Sequence, residues 1–157
     1  LHLSIRRQRQ MCIRDRSAYD TKMLTVAARY HDIGKYYIPE KILNAPRPLT
    51  GLERKVIDMH AYYGYEACME YGFEKDICEL ILLHHGTHKY RTLTDEQISD
   101  FAKEYFQILM AADIYDALIS DRVYRRAIDH DRALDIVAEN PEIKRWVFLA
   151  LEKISLC

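Results

Sequence analysis

Residues 20–34, DTKMLTVAARYHDIG, set the reading of the whole chain. Met23, Leu24, Ala27, Ala28 and His31 fall at i, i+1, i+4, i+5 and i+8, one stripe of a helix with 3.6 residues per turn. Such a helix faces inward and delivers a polar residue, His31, to the core. The next stretch, KYYIPEKILNAPRPL, holds three prolines and reads as a loop beside that helix end. Thr50 to Glu53 (TGLE) matches a capping box, and the helix it opens is expected to run to about Tyr71. Phe73 to His85 reads as another helix, ending in a histidine pair before Gly86. Thr94 to Gln97 (TDEQ) is expected to open the longest helix, through FAKEYFQILMAADIYDALIS to about Ser120. Two shorter helices, Asp129 to Glu139 and Pro141 to Lys153, follow. No strand-like alternation of useful length and no internal repeat interrupts this pattern, so the expected fold is all-α, a compact helical bundle.

Composition agrees with one globular domain. The 157 residues are 49% hydrophobic and 30% charged, with 5 Gly and 4 Pro, which excludes a collagenous or disordered chain. A net charge of -1 removes the general electrostatic case for nucleic-acid binding. Cys12, Cys68, Cys78 and Cys157 form no CxxC pair or zinc-like spacing and read as reduced thiols of a cytoplasmic protein. No apolar run approaches the ~20 residues of a membrane span. The first sixteen residues, LHLSIRRQRQMCIRDR, carry a local charge of +4 and break the composition abruptly. They read as a non-native or disordered extension similar to translated adapter sequence, the other reading being a basic arm for RNA or anionic lipid. Residues 17–157 are the expected domain, truncated at both ends.

Helix-associated positions suited to apolar residues hold His31 and Asp32, His60, His84 and His85, and Asp113. One buried group of this kind needs a hydrogen-bond partner; six together need a positive charge, which a divalent cation supplies. Mixed imidazole and carboxylate donors suit Fe, Mn, Zn, Co or Ni better than Ca. Consecutive helical residues point about 100 degrees apart, so His84 and His85 could reach two different ions. His88 and His130 sit in polar surroundings and read as ordinary surface or packing histidines.

HDIGK (residues 31–35), HAYYG from His60, the pair His84 and His85, and DIYDALISDRVYR from Asp113 occur in the order and spacing of a known group. From about Ser17 to Ile136 the chain resembles the HD superfamily of metal-dependent phosphohydrolases, most closely the HD-GYP cyclic di-GMP phosphodiesterases. That resemblance implies two divalent metal ions, Fe, Mn or similar, ligated by His31, Asp32, His60, His84, His85 and Asp113, with Asp32 as the bridge. It further implies that an activated water attacks phosphorus while Lys35, Arg122 and Arg125 neutralise the phosphate. Asp32 and Lys35 are thus the catalytic candidates, and Lys35, Arg122 and Arg125 the substrate-binding ones. Asp116 is expected to orient a ligand or cap local structure. Tyr36, Tyr37 and Tyr62 either line a nucleotide pocket or pack between helices.

The implied function is hydrolysis of a cyclic dinucleotide by a cytoplasmic bacterial signalling enzyme, joined in its parent protein to a sensor or receiver domain. Two departures qualify the substrate. The run after the histidine pair is HHGTHKYRTLTDEQ, without the glutamate and GYP loop of the group, and the segment where the group carries an upstream metal-binding histidine is the 1–16 extension. An HD hydrolase of another nucleotide is therefore the alternative, and a non-catalytic signalling module a third.

Overall fold

The computed structural model describes residues 18–87, 93–121 and 126–155. Residues 1–16, read above as an extension, lie outside them, as do His88, Arg122 and Arg125. Among the described residues every regular element is helical: α1 (Ala18–Tyr30), a 3-10 helix (Ile33–Tyr37), α2 (Glu40–Leu43), α3 (Gly51–Asp58), α4 (His60–Glu70), α5 (Lys75–Leu83), α6 (Asp100–Ile119), α7 (His130–Ala138) and α8 (Arg145–Ser155). The all-α bundle is as expected.

Helix α5 lies at the centre. Ile77 to Leu83 are all buried, so it has no solvent face, and α1, α4 and α6 pack around it. The expected stripe of α1 is buried, as Met23, Leu24, Ala27 and Ala28 join Leu80, Ile81, Leu109 and Met110 in one core. Helices α7 and α8 close the far side of α6 through Ala133, Val137, Val147 and Leu151. Each fully buried aliphatic side chain contributes about 1.5–3 kcal/mol relative to exposure.

Several boundaries differ from expectation, each for a local reason. The capping box at Thr50 forms, with Thr50 Oγ1 accepting from the Glu53 amide at 3.2 Å and the Glu53 carboxylate accepting from the Thr50 amide at 2.8 Å. The helix it opens stops at Asp58, because the imidazole of His60 donates from Nδ1 to the Ile57 carbonyl (2.6 Å), the acceptor that the Ala61 amide would use in a continuous helix. Thr94 and Gln97 bond each other but open no helix. Ser99 caps α6 instead: its Oγ accepts from the Ala102 amide (3.1 Å), while its hydroxyl and amide donate to Asp76 (2.6 Å) and Glu79 (2.9 Å) of α5. Packing on α5 thus places the start of the longest helix. The proline-rich segment folds locally as the 3-10 helix and α2. Helix α8 begins at Arg145 rather than Pro141, since Asn140 accepts the amides of Glu142 (3.0 Å) and Ile143 (3.1 Å) in a turn.

Candidate metal centre

The last four carbonyls of a helix have no intrahelical donor. Three histidines use that vacancy. His31, just past α1, donates from Nδ1 to Ala28 O (2.9 Å); His60, just past α3, donates to Ile57 O; His84, just past α5, donates to Ile81 O (2.5 Å). A carbonyl only accepts, so each Nδ1 carries the proton and each neutral ring keeps its lone pair on Nε2. Helix ends thereby set both the tautomer and the direction of three donor atoms.

Those atoms converge. His60 Nε2 lies 3.2 Å from His84 Nε2 and 3.1 Å from His85 Nε2. His60, His84 and His85 form one trio of donor atoms within 4.8 Å of one another; His31, Asp32 and His84 form a second that shares His84. Asp32 reaches His60 Nε2 with one carboxylate oxygen (3.3 Å) and His31 Nε2 with the other (3.5 Å). Asp113, from α6, lies 3.6 Å from His31 Nε2 and 3.9 Å from His85 Nδ1. All six sequence-derived candidates therefore meet at one place. His60 and His84 are buried at its floor, whereas the side chains of Asp32 (40% exposed) and Lys35 (37%) stand at its open side.

Charge at the site follows from burial and contact. Burial holds the pKa of His84 well below the ordinary histidine value, so it is neutral. Burial opposes ionisation of Asp113, yet its contact with His31, together with His84 and His85 nearby, brings its pKa down to about 2. Burial likewise acts against Asp32, but His60, His31 and Lys35 hold it well below the usual carboxylate range. For His31 burial favours the neutral form, and Asp113 and Asp32 outweigh it and raise the pKa. The residues fit a cation on two grounds. His84 is neutral and Asp32 and Asp113 are ionised, the donor forms a divalent metal requires, and the Nε2 atoms of His60 and His84, 3.2 Å apart with both Nδ1 protons directed at helix carbonyls, repel unless a positive charge lies between them.

Lys35 Nζ is 2.7 Å from Asp32 Oδ2, one 3-10 turn along the same segment. Asp116 lies one turn beyond Asp113 on α6 and is half-buried. Tyr36 and Tyr37 are exposed (87% and 58%) and, with Tyr30, Ile33, Tyr71 and Phe73, line a pocket of about 310 Å³. His130 is a packing residue, its Nδ1 2.7 Å from the hydroxyl of buried Tyr115. Sequence reasoning missed what holds the turn after the histidine pair. Glu142, from the turn before α8, accepts both the amide (2.7 Å) and the hydroxyl (2.6 Å) of Thr87. No local signal connects positions 55 residues apart.

Comparison with known proteins gives the same picture. A 3'3'-cGAMP-specific phosphodiesterase 3 of Vibrio cholerae serotype O1 is 34% identical over 151 residues, 92% of this chain and 31% of that protein. A cyclic di-GMP phosphodiesterase of the same organism is 34% identical over 129 residues, 75% of this chain and 25% of that protein. The cyclic di-GMP phosphodiesterase response regulator RpfG of Xanthomonas campestris pv. campestris is 31% identical over 120 residues, 75% of this chain and 32% of that protein. The chain thus spans about a quarter to a third of the length of these relatives. The family model described as HD domain matches residues 4–144, and with the histidine and aspartate donors gathered as above, the chain belongs to the HD domain family.

Proposed function

We propose that this chain hydrolyses a phosphodiester of a cyclic dinucleotide, with His31, Asp32, His60, His84, His85 and Asp113 holding two divalent ions such as Fe or Mn. The observation that carries the proposal is the convergence of imidazole nitrogens and a carboxylate oxygen in two donor trios that share His84. The named activities of the relatives support the choice of substrate class. Metals bound here would supply an activated water and Lewis acidity toward the phosphoryl oxygens. The chain does the rest. Helix-end carbonyls aim His31, His60 and His84, and Asp32, with one carboxylate oxygen toward His60 and the other toward His31, would hold the ions through both oxygens. Lys35, on the open side, exchanges its contact with Asp32 for the substrate phosphate and holds that negative charge. Arg122 and Arg125 are assigned the same role from sequence. We place the protein in the cytoplasm, joined to a sensor or receiver domain as the response-regulator name of one relative suggests.

The sequence HHGTHKYRTLTDEQ favours a second reading within the same chemistry, hydrolysis of another nucleotide. One experiment tests both. The full chain and a His31→Ala, Asp32→Ala variant are assayed for metal content, then for hydrolysis of cyclic di-GMP, 3'3'-cGAMP and mononucleotide substrates. About two equivalents of metal, lost in the variant together with cyclic dinucleotide hydrolysis, is the expected result. Metal-dependent turnover of a mononucleotide alone selects the second reading, and absence of bound metal in the parent chain overturns both.

A further inference from the structure

His85 lies beyond the last helical residue of α5, and the next residue, Gly86, bends the chain with φ +99 while its amide bonds Leu83 O (2.8 Å). His31, His60 and His84 are each indexed to their own helix by a bond to the carbonyl three residues back; His85 instead turns Nδ1 toward Asp113 and Nε2 toward His60. Past the helix end, the chain immediately after it is one of the holds on that direction.

That hold comes from Glu142. One carboxylate oxygen receives both the amide and the hydroxyl of Thr87, and the other lies against Gly86, so that a Cβ at position 86 would overlap it. The turn bearing Glu142 is itself fastened to α6. The Lys144 amide donates to Oε1 of Gln107, a residue 1% exposed, whereas the exposed pair between Lys144 Nζ and Glu104 at 2.7 Å adds little to that hold. Helix α6 also carries Asp113. A closed chain of contacts results: Asp113, α6, Gln107, the Glu142 turn, Thr87, Gly86 and His85. Position 86 is glycine, and the carboxylate of Glu142 occupies the space that a side chain there would take.

We propose that Glu142 is a positioning residue for the centre: its carboxylate takes the volume of a side chain at position 86 and fixes His85 against His60 and Asp113. The inference rests on the metal-centre reading, and its test separates the two. Full-length chain and the variants Glu142→Ala, Glu142→Gln and Lys144→Ala are stripped of metal and titrated with Mn²⁺ by calorimetry. Imidazole ¹⁵N spectra and melting temperatures are recorded on the same metal-free samples.

The outer partners of metal-binding residues influence affinity about 10- to 100-fold. Glu142→Ala is accordingly expected to weaken Mn²⁺ binding by that factor and to move the His85 resonances. Glu142→Gln, which keeps an acceptor for Thr87, and Lys144→Ala, which removes an exposed ion pair of the same turn, are expected to bind as the parent does. Should Glu142→Ala fail to fold, Glu142→Asp, one methylene short of Thr87, carries the same expectation. Unchanged affinity and unmoved His85 resonances overturn the inference. If the parent itself binds no Mn²⁺, the metal reading fails, and the spectra alone decide: moved His85 signals uphold the positioning role and unmoved ones end it.

Discussion

At Gly34 the 3-10 helix lies directly on α4, and a Cβ there would run into the His60 carbonyl oxygen. The contact is backbone against backbone, so neither side can yield by rotating a side chain. Gly34→Ala is expected to cost about 3 kcal/mol, a fall in melting temperature on the order of 10 °C by calorimetry. A fall of only a degree or two would mean that the two helices part easily. The glycine of HDIGK thus has a packing reason beside its neighbours' chemistry. Cys78 illustrates a different residue-scale effect. Burial, with Cys68 beside it, pushes its thiol up to about 12. The folded state keeps this proton where the unfolded chain releases it, so stability falls as pH rises from about 9 toward 12. Urea midpoints at pH 8 and 10 are expected to differ less in Cys78→Ala than in the parent chain. At pH 8 a maleimide reagent is expected to leave Cys68 and Cys78 unmodified until the protein unfolds.

Helix boundaries distinguish local from tertiary causes. The TGLE box is made by its own four residues, and it was legible because both partners lie within one turn. The TDEQ box looked equivalent, yet its residues close only a turn, and α6 starts where Asp76 and Glu79 of α5 hold Ser99. Those contacts span 20 and 23 residues and leave no periodic trace. Ser99→Ala is expected to lower stability by about 1 kcal/mol or more in denaturant titration, and Thr94→Ala by a few tenths at most. Equal losses would return the cap to Thr94. The break at Met59 has a similar origin. Apolar spacing runs on through it, but His60 claims a carbonyl that a continuous helix needs. The residue that makes the site is the residue that ends the helix, and periodicity does not register hydrogen-bond competition of this kind.

Across the molecule, the six candidate donors come from the ends of α1 and α5, the start of α4 and the middle of α6. They were legible in sequence because each stands where a buried apolar residue was due. Glu142 was not, since its meaning arises only when the turn before α8 folds back on Thr87. A cation binding all four segments binds the native state alone and stabilises it by mass action. Mn²⁺ at 100 times its dissociation constant is expected to add about 2.7 kcal/mol to unfolding, with no shift in the His31→Ala, Asp32→Ala variant. An equal shift in both proteins would place the binding elsewhere. The anchoring of imidazoles to the carbonyls of their own helices has one more consequence. It insulates three of the imidazoles from the chain that follows the histidine pair, because each is held by the carbonyl of its own helix. Alanine replacements across the exposed residues 94–96 are therefore expected to leave Mn²⁺ affinity in a calorimetric titration where it stands in the parent chain, and a loss of about tenfold would show that the centre depends on that segment too.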